Sequence, residues 1–227
     1  MADRTTQATQ ANHPTRRAVL AMGAGAGLGL ALPAQAQASK AGITLQCAGA
    51  YTDALFHTQN LKQFASQAVS QSKGSLQIDV VSNAKLMPMT DVLPALTKGD
   101  LAMGEIFMSN FGAQYPLLAI DSLPFIVRNT DDAKRLWDAT RKPIEEMFAK
   151  QGIRVLYTAP WPGQGLFSRT QVNKLDDVRG LKFRANNQAT KYIAETAGAI
   201  PADTPANTLD KSNKNGEVDV MVTSSTT

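Results

Sequence analysis

The chain has 227 residues, of which 43% are hydrophobic and 19% are charged, so it is neither a wholly disordered chain, nor a collagen, nor a coiled coil. Its formal net charge of +4 gives no electrostatic reason to expect nucleic-acid binding. A single cysteine, Cys47, excludes an intramolecular disulfide, and two histidines, His13 and His57, cannot form a histidine-based metal cluster. We therefore expect neither a metal nor a cofactor.

Residues 1–38 are predicted to be an export signal and not part of the fold. The pair Arg16–Arg17 precedes an uncharged stretch rich in Gly and Ala, and this order is similar to a twin-arginine signal. Small residues after the stretch favour cleavage after Ala36 or Ala38. Two positions beside the arginines depart from the twin-arginine pattern, so general secretion is an alternative. A membrane anchor is disfavoured because the apolar stretch is shorter than the roughly 20 residues that span a bilayer. The mature protein is predicted to be periplasmic.

The remainder of the chain alternates between short strands and helices. Apolar runs predict strands at 43–48, 76–81, 101–107, 153–158, 181–184 and 218–223. Helices with one apolar face are predicted to begin near Asp53, Thr90, and Thr130 or its neighbour Asp131, which can cap them, and a further helix is predicted at 187–196. Helices of roughly 10–20 residues between short strands indicate an α/β protein with crossover connections.

Motifs of enzymatic chemistry do not assemble in this sequence. The serine-hydrolase motif G-x-S-x-G is absent. His57 is the single imidazole after the export signal, and a packed or capping histidine is its commoner role. Cys47 lies in an apolar strand without a basic neighbour in sequence, so we expect a small buried side chain and not a nucleophile.

Two segments place polar side chains where a ligand could use them. The turn at 157–168 contains two prolines and two glycines and presents Trp161 and Gln164, although a tight crossover with a merely buried Trp161 explains it equally well. Arg184 ends a predicted strand, and ligands of open α/β proteins bind at that end. A guanidinium there can hold a carboxylate with two parallel hydrogen bonds, while an ordinary surface arginine is the alternative.

Seven short motifs in order along the chain carry a family resemblance. Together they resemble the solute receptors of tripartite ATP-independent periplasmic (TRAP) transporters. The motifs are H-T-Q-N with F-A at 57–65, G-E-I-F-M-S at 104–109, D-S-L-P-F at 121–125, W-P-G-Q-G at 161–165, D-D-V-R-G-L-K-F-R at 176–184, A-G-A-I-P at 197–201 and G-E-V-D-V-M-V-T-S at 216–224.

The resemblance implies an α/β periplasmic-binding-protein fold with two lobes that close about a hinge. The first lobe is expected at 39–159 and the second, incomplete, at 160–227. The family continues well beyond this length, so we expect apolar surface to be left exposed. The stretch 207–215 has only Leu209 as a large apolar residue and does not predict the amphipathic helix that the family has there.

The resemblance also implies the roles of site residues. Arg184 matches the arginine that holds the ligand carboxylate, and Trp161 and Gln164 fall on the crossover between the lobes. The other residues expected to bind the ligand are Asn187, Thr223, Ser224, Glu105, Phe56 and His57.

The function expected from these observations is an extracytoplasmic receptor, not an enzyme. It would bind a small organic acid and deliver it to a TRAP membrane permease. A monocarboxylate, or a keto or hydroxy acid, is favoured because no second cationic residue is evident in the cleft. The alternatives are an exported α/β enzyme acting on a small organic acid, with Glu105 or His57 as its base, and a truncated remnant without function.

Overall fold

The structure is a computed structural model that describes residues 42–226, so the predicted export signal lies outside the described residues. Seven strands occur in this part of the chain: β1 (Ile43–Ala48), β2 (Leu76–Val81), β3 (Met103–Gly104), β4 (Gln164–Ser168), β5 (Lys182–Ala185), β6 (Ile200–Asp203) and β7 (Val220–Ser224). The same part contains five α-helices: α1 (Phe56–Gln71), α2 (Met89–Lys98), α3 (Thr130–Ala149), α4 (Gln188–Thr196) and α5 (Leu209–Lys214). These elements confirm the α/β class.

The first sheet has the strand order β2-β1-β3, and both of its pairings are parallel. Cys47 in β1 lies opposite Val80 in β2 and Met103 in β3. The helix α1 covers this sheet because its apolar face buries Leu61 and Ala65 against β1 and β2. Cys47 is fully buried in this core, as its apolar strand predicts.

The second sheet has the order β4-β7-β5-β6, in which β4 runs antiparallel to β7 and the other pairings are parallel. A separate core beneath it contains Phe183, Ala194 and Val220. Parallel pairing brings the carboxyl ends of β5 and β7 to one edge, so Arg184 and Thr223 lie close together.

The long helix α3 packs on a third core that includes Leu93, Leu118, Ile144 and Phe148. Asn129 begins the helix by accepting a hydrogen bond from the Asp132 amide at 2.9 Å. The cap is thus one residue before the predicted start. Within residues 42–226, we find no helix with the length and apolar character needed to span a membrane.

Several predicted strand boundaries are wrong, because a strand forms only where a neighbouring strand is available to pair with it. The predicted strand at 101–107 reduces to Met103–Gly104, and 153–158 forms no strand among the described residues, since no neighbouring strand supplies backbone hydrogen bonds to it. Two strands that local patterns did not predict, β4 and β6, form because β7 and β5 offer such partners. All five residues of β4 are exposed, including Leu166 and Phe167.

Two helix predictions also differ from the structure. Asp53 does not cap α1, because its carboxylate accepts hydrogen bonds from Lys62 and Ser82, each at 2.7 Å. The stretch near Leu209 does form a helix, although only a short one. A single large apolar side chain suffices there, since Leu209 is buried.

Candidate functional site

Arg184 in β5 is the most deeply buried cationic side chain of the predicted site, with 2% of its surface exposed. Its Nε donates to the Thr204 carbonyl oxygen at 2.8 Å, and its Nη1 donates to the Thr223 hydroxyl at 3.2 Å. Burial lowers the pKa of Arg184 to about 10, and nearby Tyr51 and Asp203 oppose this effect. The alternative of an ordinary surface arginine is therefore wrong.

The guanidinium has neutral partners but no carboxylate bonded to it. Among residues 42–226 no carboxylate lies within ion-pair distance of it. The charge of Asp203 acts on Arg184 without a direct ion pair. A buried cation without a directly bonded carboxylate is costly, and an anionic group offered by a ligand would offset that cost. The arrangement can thus bind a carboxylate.

Thr223 and Ser224 occupy the end of β7 beside this arginine. Both are buried, and the Ser224 and Thr226 hydroxyls lie 3.0 Å apart. Gln164 pairs with Ser224 across the β4–β7 ladder, but it is exposed and its Nε2 donates to the Pro162 carbonyl oxygen at 2.9 Å. The Gln164 amide is therefore folded onto its own turn in this structure.

The side chain of Asn187 forms hydrogen bonds with two residues, Thr190 and Ser109. Its Oδ1 accepts from the Thr190 amide at 2.9 Å and so caps α4. Its Nδ2 donates to the buried Ser109 hydroxyl at 3.3 Å. Ser109 follows the first sheet and Asn187 follows β5, so this hydrogen bond joins the two halves of the described chain.

Four rings form what we call the aromatic cluster: Tyr51, Phe56, His57 and Trp161. The centroid of the His57 ring lies 3.9 Å from that of Phe56, 4.1 Å from that of Trp161 and 5.3 Å from that of Tyr51. Trp161 also meets Tyr51 edge to face at 5.2 Å. Trp161 thus packs on the start of α1.

His57 is buried inside this cluster, in keeping with the packed histidine that is its commoner role. Desolvation lowers its pKa, an effect that the nearby Ala159 backbone partly opposes. Neither ring nitrogen has a well-formed hydrogen bond within the described part of the chain. Burial therefore favours the neutral form of the ring.

Glu105 lies directly after β3, where its amide donates to the Ala48 carbonyl oxygen at 2.8 Å. Its Oε2 is buried and has no hydrogen-bond partner among the described residues. Burial raises the pKa of the Glu105 carboxyl to about 7. The Glu105 charge in turn adds to the effect of burial in raising the pKa of Cys47 to about 11 and that of Tyr157 to about 12.

Tyr51 is a buried member of the aromatic cluster that the sequence analysis did not single out. It is 4% exposed, and burial together with the Glu105 charge raises its pKa well above the usual range, while Arg184 and Trp161 oppose that rise. Tyr51 therefore lies within electrostatic reach of both Glu105 and Arg184. The available signal was its position just after β1, at the carboxyl end of a parallel strand.

Other features of the described residues do not add to this site. Two open surface depressions lie along α1, one of them beside Phe64 and Tyr157. Within residues 42–226, no cluster of His, Cys, Asp and Glu side chains has the arrangement needed to hold a metal ion.

Comparison with known proteins gives a family match over most of the chain. The DctP model, described as bacterial extracellular solute-binding protein, family 7, matches residues 51–224. A solute-binding protein from Albidiferax ferrireducens is 28% identical over 181 residues, which are 78% of this chain and 53% of the relative.

Two solved structures resemble the fold closely. One is DctP7, a Bordetella pertussis extracytoplasmic solute receptor binding pyroglutamic acid, with a TM-score of 0.77 and 33% identity over 80% of this chain and 60% of that one. The other is a marine metagenome TRAP solute-binding protein specific for pyroglutamate, from an unidentified microbe, with a TM-score of 0.77 and 30% identity over 81% of this chain and 60% of that one. The chain thus spans between about half and two thirds of the length of these relatives.

Proposed function

Because the chain belongs to the family of bacterial extracellular solute-binding proteins, family 7, we propose that it acts as a receptor that binds a small organic acid outside the cytoplasm. The observation that carries the proposal is the burial of Arg184 without an ion pair in the described residues. A guanidinium has further N–H donors beyond the two that bind Thr204 and Thr223, and these can hold a carboxylate.

The binding mode follows from the two sheets. We assign 39–159 to a first lobe and 160–227 to a second, with Arg184, Thr223 and Ser224 from the second lobe facing ligand. The aromatic cluster supplies an apolar wall from the first lobe and the crossover. Ligand contacts to both lobes would favour the closed form over the open form, and the Ser109–Asn187 hydrogen bond supports a closed arrangement.

The relatives narrow the class of ligand. Two receptors that are at least 30% identical to this chain bind pyroglutamate, a monocarboxylate. Arg184 is the one buried arginine among residues 42–226, which suits one carboxylate better than two. We therefore propose a monocarboxylate of the pyroglutamate type.

The role is binding without chemical conversion, and it needs no cofactor. By analogy with the TRAP receptor that it resembles, the protein would hand its ligand to a TRAP membrane permease. Export through the twin-arginine route, with cleavage after Ala36 or Ala38, belongs to the same proposal. A reporter protein fused to residues 1–38, with Arg16 and Arg17 both replaced by lysine, should remain in the cytoplasm. Unchanged export of this fusion would favour general secretion.

The proposal is tested by titrating pyroglutamate into the protein and into Arg184→Gln by calorimetry. Loss of one partner of a buried ion pair costs about 3–5 kcal/mol, so affinity should fall by at least about 100-fold. The matched control is Arg179→Gln, since Arg179 is exposed and binds only Asp176 in the part of the chain that is described. Equal affinity of Arg184→Gln and the unchanged protein would refute the role of Arg184.

A further inference from the structure

A hydrogen bond joins the segment that follows β3 to the turn that follows β5. The Asn187 Nδ2 donates to the Ser109 hydroxyl at 3.3 Å. Ser109 is 4% exposed and lies in a short helical turn of the first half, Met108–Phe111. Asn187 comes shortly after Arg184 in the second half. The bond therefore spans the two halves close in sequence to the residue proposed to hold the ligand carboxylate.

Ser109 stands on a firmly packed turn. Its neighbours Met108 and Phe111 both pack against the α3 core. The Gly112 amide donates to the Ser109 carbonyl oxygen at 3.2 Å. A Cβ added at Gly112 would lie 2.4 Å from the Ala119 Cβ, so the backbone there approaches its neighbour too closely for a side chain. Because a close-packed turn cannot shift without disturbing the core, the Ser109 hydroxyl has a fixed place in the first half.

The Asn187 amide is oriented by its role as the cap of α4. Its Oδ1 accepts from the Thr190 backbone amide at 2.9 Å, and the Thr190 hydroxyl accepts from the Asn187 backbone amide at 3.1 Å. This reciprocal pair is a capping box. Since Oδ1 binds the helix, Nδ2 is left on the other side of the planar amide group, where it donates to Ser109. The bond thus fastens the start of α4 to the first half.

We propose that Ser109 is a positioning residue for the ligand site. Through Asn187 it fastens the turn after Arg184 to the first half, and so it stabilises the arrangement in which both halves surround the bound acid. This inference rests on the receptor function proposed above and adds a residue that keeps the receptor closed.

The bond acts on the escape of the ligand and not on its entry. The ligand enters while the halves are apart, before Ser109 and Asn187 meet, whereas it leaves only after their hydrogen bond has broken. Opening gives both groups to water, so the net contribution of the bond is modest. Its loss should therefore speed ligand dissociation on the order of 3- to 10-fold and leave association unchanged.

The test is a stopped-flow measurement of pyroglutamate binding to the whole chain and to Ser109→Ala, which removes only the hydroxyl oxygen. The dissociation rate constant should rise by the factor given above, and the association rate constant should stay the same. The matched control is Thr140→Val. It removes a buried hydroxyl whose 2.8 Å hydrogen bond to the Leu136 carbonyl oxygen stays within α3, so neither rate constant should change.

A double-mutant cycle separates this role from a local effect of Ser109 on its own turn. Asn187→Ser retains a side chain that can cap α4 but lacks the Nδ2 donor, and it should also speed dissociation. Adding Ser109→Ala to Asn187→Ser should then change the dissociation rate no further. A local effect would instead give the same increase in both backgrounds. Each single variant tests the bond from one side, so if one fails to fold the other still decides.

The outcomes separate this inference from the proposed function. Unchanged dissociation from Ser109→Ala, or equal increases in both backgrounds of the cycle, would overturn the positioning role and leave the receptor function standing. Absence of pyroglutamate binding to the unchanged protein would refute both. Faster dissociation that depends on the presence of Asn187 would support the positioning role.

Discussion

The buried carboxyl of Glu105 predicts a definite dependence of stability on pH. Its pKa is 4.5 in the unfolded reference and about 7 in the folded protein, because burial disfavours the charged form. Below the lower pKa, Glu105 is protonated in both the folded and the unfolded state, so its titration does not change the free energy of unfolding. Between the two values the unfolded chain binds fewer protons, so the free energy of unfolding falls as the pH rises, and above about 7 the loss is complete.

The magnitude follows from the two pKa values. A difference of roughly 2.5, at about 1.4 kcal/mol for each tenfold change, corresponds to roughly 3 kcal/mol between the ends of the interval. Glu105→Gln keeps the shape of the side chain and removes the titration. As the pH rises, the unchanged protein should therefore lose about this amount of unfolding free energy relative to Glu105→Gln.

The assay is urea denaturation of both proteins at several pH values, from about one unit below the lower Glu105 pKa of 4.5 to about one unit above the higher value of about 7. His57, whose pKa is lowered, and Asp121, whose pKa is raised by burial, titrate in both proteins and drop out of the difference. Glu146→Gln on the exposed side of α3 serves as the control. A constant difference across this range would refute a buried, titrating Glu105.

Three further predictions concern the framework of the site, each measured as a change in unfolding free energy. Asn187→Ala should cost about 1 kcal/mol by removing the cap on the Thr190 amide, and Asn187→Ser, which can still cap, should recover most of it. Gly104→Ala should cost about 1–3 kcal/mol, since the new Cβ would lie 2.5 Å from Val92 Cγ1; a simultaneous Val92→Ala should relieve that clash, and additive losses would argue against it. Leu118→Ala should cost about 2–5 kcal/mol because Leu118 is 1% exposed in the α3 core, and a loss below 1 kcal/mol would show that this core is loosely packed.

The local sequence predicted those strands whose own residues show the pattern of a β-strand. The strands β1 and β2 occur at the predicted residues because β1 is a short β-rich run and β2 alternates apolar and polar residues, each with the pattern of a strand. The run 153–158 is equally apolar, yet it forms no strand among the described residues, since strand formation depends on a neighbour that no local pattern encodes.

The site was predictable to a similar extent. Arg184 could be placed by its position at the end of a strand, and the structure shows its burial, which no spacing reveals. The resemblance named Asn187 as a ligand contact, whereas its visible contacts are the α4 cap and Ser109. Tyr51 could not be ranked above other aromatic residues from sequence, because its importance depends on side chains from three separate elements meeting around it.

The position of Trp161 gives the protein a built-in optical reporter. The chain has two tryptophans, and Trp137 packs in the α3 core away from the aromatic cluster. In a Trp137→Phe background, fluorescence would come from Trp161 alone, whose ring lies 4.1 Å from His57 and 5.2 Å from Tyr51. Opening of the two halves would hydrate the indole and shift its emission to longer wavelength, so the kinetics of ligand capture could be followed without an added dye.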